Sequence, residues 1–389
     1  MNYEFPNITH IDDVKHLVEN FDSDFFLKEK ENFDVIDYQV AFGDTFPPIN
    51  TNDDAIKREF RGLIFDKEGN LIRRPYHKFF NVNERDETKN IDLSHAHTIL
   101  EKLDGSMICF FLIDDESYWG TKLASEEFHQ DVKKFVKESE IDYDAFCRKL
   151  YKKGYNPIFE WISPNNRIVV KYKEPQLIVT AIRHIVTGAY MPYETVKGIC
   201  EDHGIPCVKA YEGNQKNMED LIKHTSLLEQ EEGYVIVFAD GHRVKIKGEW
   251  YCHLHKVKSY FDYEKDIAKL CLMGDCDDIL SMVDEDDRIK LENYEHDLSM
   301  ILKKYVQDTL FSVCCVKYKD MTRKEFSLSR SHLPPVIRAC VFNNWDRLES
   351  VTSMQIHEGM LSSFLNASSY SHNKWADFKK KNYFTGLEW

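Results

Sequence analysis

Four short segments of this chain place charged side chains where they could do chemistry. Glu101-Lys102-Leu103-Asp104-Gly105-Ser106 sets a lysine just before an Asp-Gly turn, and the apolar run Met107–Ile113 follows it. Phe159-Glu160-Trp161 places a carboxylate between two aromatic residues, and carboxylates are seldom fully buried without a partner. Glu231-Glu232-Gly233-Tyr234-Val235 is an acidic pair entering an apolar strand. Val244-Lys245-Ile246-Lys247 separates two lysines by one residue, so on a strand both ammonium groups point to the same face. Like charges side by side repel unless an anion lies between them, and a phosphate is such an anion. Each segment also has an ordinary reading. Lys-x-Asp-Gly is a common surface turn, strand alternation can turn Glu160 to solvent, and charges such as Glu232 and the lysine pair discourage pairing at a sheet edge.

Taken in order, the lysine, the strand glutamate, the Glu-Gly and the Lys-x-Lys lie 58, 72, 13 and 2 residues apart. The set resembles the signature of the covalent nucleotidyltransferases, which include RNA ligases, DNA ligases and mRNA capping enzymes. Glu59-Phe60-Arg61-Gly62-Leu63-Ile64-Phe65, Lys78-Phe79-Phe80-Asn81-Val82-Asn83-Glu84, Ser163-Pro164-Asn165-Asn166-Arg167-Ile168-Val169 and Lys247-Gly248-Glu249-Trp250-Tyr251 are similar to segments of the RNA ligase 1 family, typified by the T-even bacteriophage enzyme. That likeness spans roughly residues 25–260.

The resemblance implies a reaction in three steps. Lys102 would attack the α-phosphorus of ATP to give a lysyl-AMP. AMP would then pass to the 5′-phosphate of an RNA, and a 3′-hydroxyl end would displace it. A free lysine is protonated at neutral pH, with a pKa of about 10.4; Lys245, Lys247 and a bound cation would favour the neutral amine and stabilise charge on the phosphate. By the same resemblance Glu160 would take a ribose hydroxyl, Glu232 would hold magnesium or manganese, Arg61 and Lys78 would contact phosphates, Tyr38 would lie in the phosphate region, and Lys122 would be a further nucleotide contact. Arg167 would lie near the nucleotide or the RNA end. The implied substrates are ATP and single-stranded RNA ends, among them those of a cleaved tRNA anticodon loop.

These residues need strands to hold them. Apolar spacing predicts a helix over Ile11–Phe21 and a strand over Asp34–Phe42. A hairpin is expected over Arg61–Arg73, strands over Met107–Ile113 and Ser117–Leu123, and a helix over Glu126–Lys153. Strands follow at Pro157–Ile162, Ile168–Tyr172 and Leu177–Ile185, helices at Tyr193–His203 and Asn217–Leu228, and a hairpin turns at Asp240-Gly241. Beyond about residue 258 helical patterns dominate, first acidic and then basic from Lys303 to Arg330. The expected fold is α+β: a nucleotidyltransferase domain of antiparallel sheets with flanking helices over 1–258, then an all-α domain over 259–389 that would recognise RNA.

Composition agrees with a globular chain. Of 389 residues, 42% are hydrophobic and 13% aromatic, too many for disorder. A net charge of −15 excludes a globally basic coat but not a basic groove. The ten cysteines contain no Cys-x-x-Cys and read as reduced thiols. Cys314-Cys315 reads as core. His253 and His255 would share a strand face, with no second pair at zinc spacing. No signal segment and no membrane span are evident, so a cytoplasmic protein is expected, in the host cytoplasm if phage-encoded; a monomer is expected as a separate reading.

Other readings share parts of this pattern. DNA ligases and capping enzymes usually continue into an oligonucleotide-binding barrel, where this chain continues into helices. A degenerate, non-catalytic RNA-binding module would be expected to lose Lys102, Glu232 or the lysine pair. A Schiff-base lysine enzyme would leave Arg61, Lys78 and Lys247 unexplained.

Overall fold

The computed structural model describes residues 4–18, 24–38, 45–213, 217–280, 283, 285–384 and 386–389. The chain forms two compact units, Met1–His253 and Leu254–Trp389.

Among the described residues the first unit holds twelve strands in three sheets. The strands are β1 (Phe25–Glu29), β2 (Asp34–Tyr38), β3 (Leu63–Phe65), β4 (Leu71–Arg73), β5 (Phe80–Asn81), β6 (His97–Lys102), β7 (Ser106–Ile113), β8 (Glu116–Gly120), β9 (Tyr155–Ile162), β10 (Gln176–His184), β11 (Gly233–Phe238) and β12 (Arg243–Lys247). The sheet orders are β1-β2-β3-β4, β10-β9-β7-β8 and β5-β12-β11-β6. All pairings are antiparallel except the two-residue match of β5 to β12. Helices α1 (Asn52–Lys57), α2 (Glu126–Glu138), α3 (Tyr143–Tyr151), α4 (Tyr193–His203) and α5 (Met218–Ser226) flank the sheets. One core packs Ile108, Phe110, Phe159, Trp161 and Val179 of the second sheet against Val132, Phe146, Val196 and Cys200 of α2, α3 and α4.

Helix α6 (Glu249–Phe261) leads into α7 (Glu264–Met273), α8 (Cys276–Leu280), α9 (Glu285–Lys319), α10 (Arg323–Ser329), α11 (Pro335–Asn343), α12 (Ser353–Ser368) and α13 (His372–Lys381). Along α9, Leu291, Tyr294, Leu298, Leu302, Tyr305, Thr309, Val313 and Val316 recur every three or four residues and are buried. They meet Ile337, Ile356, Met360, Phe364 and Trp375 in one core. The α+β class, with antiparallel sheets and a helical C-terminal region, is as the sequence implies.

Several elements differ from the sequence pattern. Ile11–Phe21 is not one helix: it begins with two 3-10 turns, Ile11–Asp13 and Lys15–Leu17. The ends of that prediction and of the strand over Asp34–Phe42 fall outside the described residues. The strand after Met107–Ile113 stops at Gly120 rather than Leu123. The helix expected over Glu126–Lys153 breaks between α2 and α3, where Asp142 accepts the Ala145 N–H and starts a second helix. Ile168–Tyr172 is no strand. The Val169 and Val170 N–H groups each donate to Asp104 Oδ2 at 2.7 Å, in place of a sheet ladder. His253 and His255 lie on α6, where residues two apart diverge, so they share no face. Cys314 turns outward because Ser312, Val313 and Val316 occupy the buried side of α9.

Candidate active site

The register of the third sheet assembles the centre. Gly233 on β11 lies opposite Lys102 of β6 on one side and Lys247 of β12 on the other. The residue before it, Glu232, therefore sits between two lysines. Lys102 Nζ donates to Glu232 Oε2 at 2.7 Å, and Lys247 Nζ lies 3.0 Å from Oε1. The Glu232 side chain is 4% exposed, so the ammonium groups offset the cost of burying its charge. Gly233 has φ +137°, and a Cβ there would collide with the Ile246 carbonyl oxygen. Only glycine lets β11 approach β12 this closely.

Lys245 shares the inner face of β12 with Lys247. Burial, then the charges of Lys102, Arg61, Lys247 and Lys78, push its ammonium down to about 7. Lys78 is pushed down to about 8 by burial and then by Arg61. Its Nζ stands 5.0 Å from the Phe46 ring centre, 5.4 Å from Phe80 and 5.7 Å from Tyr38. Lys122, just after β8, lies 3.7 Å over the Tyr38 ring and 3.1 Å from Asp37 Oδ2. Arg61 Nη1 donates to the His77 carbonyl at 3.2 Å. The charge of Arg61 bears on Lys78, Lys245 and Asp37. Positive charge thus converges around Lys78 and Lys245, and binding an anion there would relieve the repulsion.

On β9, Glu160 pairs in register with Met107 of β7 and Ile178 of β10. Burial raises its carboxyl to about 8. Lys102 and the Gly105 N–H work against that shift, while Glu232 and Asp104 add to it. At neutral pH Glu160 is largely protonated and can both donate and accept a hydrogen bond. Arg167 lies in the segment after β9, its Nε donating to the Val169 carbonyl at 3.2 Å.

A family model described as RNA ligase matches residues 59–251. A putative RNA ligase of Thermovibrio ammonificans is 32% identical over 270 residues, covering 67% of this chain and 68% of that one. The chain belongs to the RNA ligase family. A putative bifunctional polynucleotide kinase/RNA ligase of Autographa californica nuclear polyhedrosis virus is 28% identical over 290 residues, and this chain spans 40% of its length. An RNA ligase of Rhodothermus phage RM378 is 25% identical over 295 residues, 59% of this chain and 67% of that one.

Within this RNA ligase family member, Lys102, Glu232, Lys245 and Lys247 come together on the third sheet. Arg61, Lys78, Lys122 and Tyr38 are brought to one another from the strands and loops around it. Sequence reasoning gave no role to the aspartate of the Lys-x-Asp-Gly turn. Asp104 is 1% exposed and ties three segments together. Besides Val169 and Val170, it accepts from the Tyr251 hydroxyl of α6 at 2.7 Å, and its N–H donates to the Tyr172 hydroxyl at 3.0 Å. Gly105 packs on β9, where a Cβ would strike the Trp161 carbonyl oxygen. The turn therefore anchors the end of β6, and with it Lys102, against the neighbouring sheet. Asp37, inside Val35-Ile36-Asp37-Tyr38, carries the same sequence signal as Glu160: a carboxylate in an apolar strand.

Proposed function

We propose that the chain is an ATP-dependent RNA ligase that joins 5′-phosphate and 3′-hydroxyl ends through a lysyl-AMP and an adenylylated 5′ end. The observation that carries this reading is the hydrogen bond from Lys102 to Glu232, set beside Lys245 and Lys247 on one sheet. An amine must shed a proton to attack, and Glu232 Oε2 stands next to it as acceptor. Nζ then bonds to the α-phosphorus as pyrophosphate leaves. Lys245 and Lys247 stabilise charge building on the α-phosphate. Arg61, Lys78 and Lys122 hold the outgoing phosphates, and the Tyr38 ring sets the height of Lys122. Glu160 binds a ribose hydroxyl.

Among the described residues no group of three His, Cys, Asp or Glu side chains could hold a metal ion. Glu232 suits a cation that is shared with nucleotide phosphates, since magnesium is commonly held by one or two carboxylates plus phosphate oxygens. Magnesium or manganese, when bound, neutralises phosphate charge.

Incubation with 5′-phosphate RNA, ATP and magnesium tests the reading. Adenylylated RNA and joined product, both dependent on ATP, are expected. Neither product, from folded protein, would contradict it.

Lys245 and Lys78 make nucleotide binding depend on pH. The charged ammonium grips phosphate, and in the free protein Lys245 loses its proton above about 7 and Lys78 above about 8. Phosphate favours the charged form, so binding near pH 8 should take up protons, and affinity should fall as pH rises through this window. Calorimetry with a non-hydrolysable ATP analogue in buffers of different ionisation enthalpy reads the uptake. A positive slope is expected; a flat one would place the phosphates away from both lysines.

The helical unit is assigned RNA recognition, in keeping with a tRNA-type repair substrate. The protein is taken to act as a monomer in the cytoplasm, that of the host if phage-encoded. Among the described residues no helix is long and apolar enough to cross a membrane. Lys303 and Lys304 on α9 and Arg323 on α10 are exposed and basic. Each phosphate contact steepens the salt dependence of binding by about 0.9 in log–log slope on duplex and about 0.7 on single strands. Changing all three residues to glutamate should flatten the salt dependence of joining nicked tRNA-like RNA while sparing short single strands. Unchanged slopes would leave this unit a structural or partner-binding role.

A further inference from the structure

We propose that Asp37 is a positioning residue for the phosphate end of the nucleotide site, acting through Lys122; this rests on the ligase reading above. Asp37 is wholly buried on β2. Its Oδ1 accepts the Tyr38 N–H at 2.9 Å, and Lys122 Nζ stands 3.1 Å from Oδ2. Among the described residues Oδ2 has no hydrogen-bond partner of good geometry, so the Lys122 ammonium is its main compensation.

A buried carboxylate is weak support for stability, because the cost of removing it from water rivals the attraction it gains. Here burial raises the Asp37 carboxyl above its usual range, and Lys122, then the Tyr38 N–H, then Arg61 work against that shift. What the pair does provide is direction. Lys122 is held from two sides, by Asp37 Oδ2 and by the Tyr38 ring 3.7 Å away. Its side chain remains 31% exposed, so the ammonium keeps an open side for an incoming oxygen. The same ring lies 5.7 Å from Lys78 Nζ. One strand end, Asp37-Tyr38, therefore sets two of the cations that would face the phosphates. The carboxylate also offsets repulsion among Lys122, Arg61 and Lys78 before nucleotide arrives.

Loss of the Asp37 charge has two consequences of opposite sign. The site becomes more positive, which does not weaken the ground-state grip on ATP. Lys122 loses its aim, which lowers the rate of the step it serves. The signature is a split between rate and affinity. Asp37→Asn keeps the side-chain size and the acceptor for the Tyr38 N–H. Single-turnover formation of protein-AMP should slow by up to about 10²-fold, the scale of a mispositioned group, with the apparent KM for ATP unchanged or lower. In a Lys122→Ala background the same substitution should have no further effect, because coupled residues are not additive. Asp37→Ser, followed by thermal melting alongside Asp37→Asn, guards against misfolding; both should melt near the parent chain and show the same coupling.

Parent-like rates in folded Asp37→Asn would overturn the proposal. So would an equal fold-loss with and without Lys122, or a raised KM at unchanged rate. Absence of protein-AMP from the parent chain itself would overturn the ligase reading and this proposal together, whereas labelling without coupling overturns this proposal alone.

Discussion

Lys102→Ala should leave a folded chain that forms no covalent adenylate and joins no 5′-phosphate RNA with ATP. Folding should survive because the Lys102 side chain is partly exposed and Glu232 keeps its second partner, Lys247, at 3.0 Å. Chemistry should not survive, because the nitrogen that forms the bond to phosphorus is gone. Removing an enzyme nucleophile commonly costs about 10⁴-fold or more. Lys102→Arg should fail equally, since a guanidinium stays protonated. Joining of RNA that already carries a 5′-adenylate should persist in part, because its activated bond has been made elsewhere. Gel assays of the three substrates check each statement. Adenylate on either variant would place the nucleophile at another residue.

Lys245→Ala and Lys247→Ala carry the second largest expected effect. Loss of adenylylation should be on the order of 10²-fold or more for each, the range for removing one group that stabilises developing charge. Their stabilities should differ in sign. Lys245 is disfavoured as a cation by burial and by four neighbouring charges, so its removal relieves repulsion in the folded state. That penalty is fully present below about pH 7 and fades as pH rises toward the lysine's ordinary value, so the gain in melting temperature from Lys245→Ala should be largest at acidic pH. Lys247 instead holds a buried carboxylate, so Lys247→Ala leaves Glu232 with one ammonium fewer and should destabilise. Folded variants with near-normal labelling would remove the pair from the chemistry, leaving Lys247 only as a partner of Glu232.

The sequence made the identities of these groups legible, because a lysine before Asp-Gly, a glutamate between aromatics and Lys-x-Lys are local patterns. It did not reveal how they meet. Lys102 and Lys247 are 145 residues apart in sequence, yet both lie opposite Gly233. That registration comes from sheet pairing between distant segments, which no local spacing encodes. The same holds for Asp104. Its turn was visible, but its partners Val169, Val170 and Tyr251 come from far along the chain, and their capture of its carboxylate is why a β-branched run near Ile168 forms no strand. Asp37 is the opposite case, because its signal is local: a charged residue in a strand of Val35 and Ile36, both fully buried. Helical patterns marked the region beyond residue 258, where the apolar stripe of α9 faces one core. It failed where a capping aspartate divides α2 from α3, since both halves have helical composition.

The most direct measurement of the central claim is incubation of the intact protein with α-labelled ATP and magnesium, without RNA, followed by denaturation and peptide mapping. The account predicts label that survives denaturation, is released by acid as expected of a phosphoramidate, and resides on the peptide containing Lys102. No retained label, or label on a peptide lacking Lys102, would contradict it.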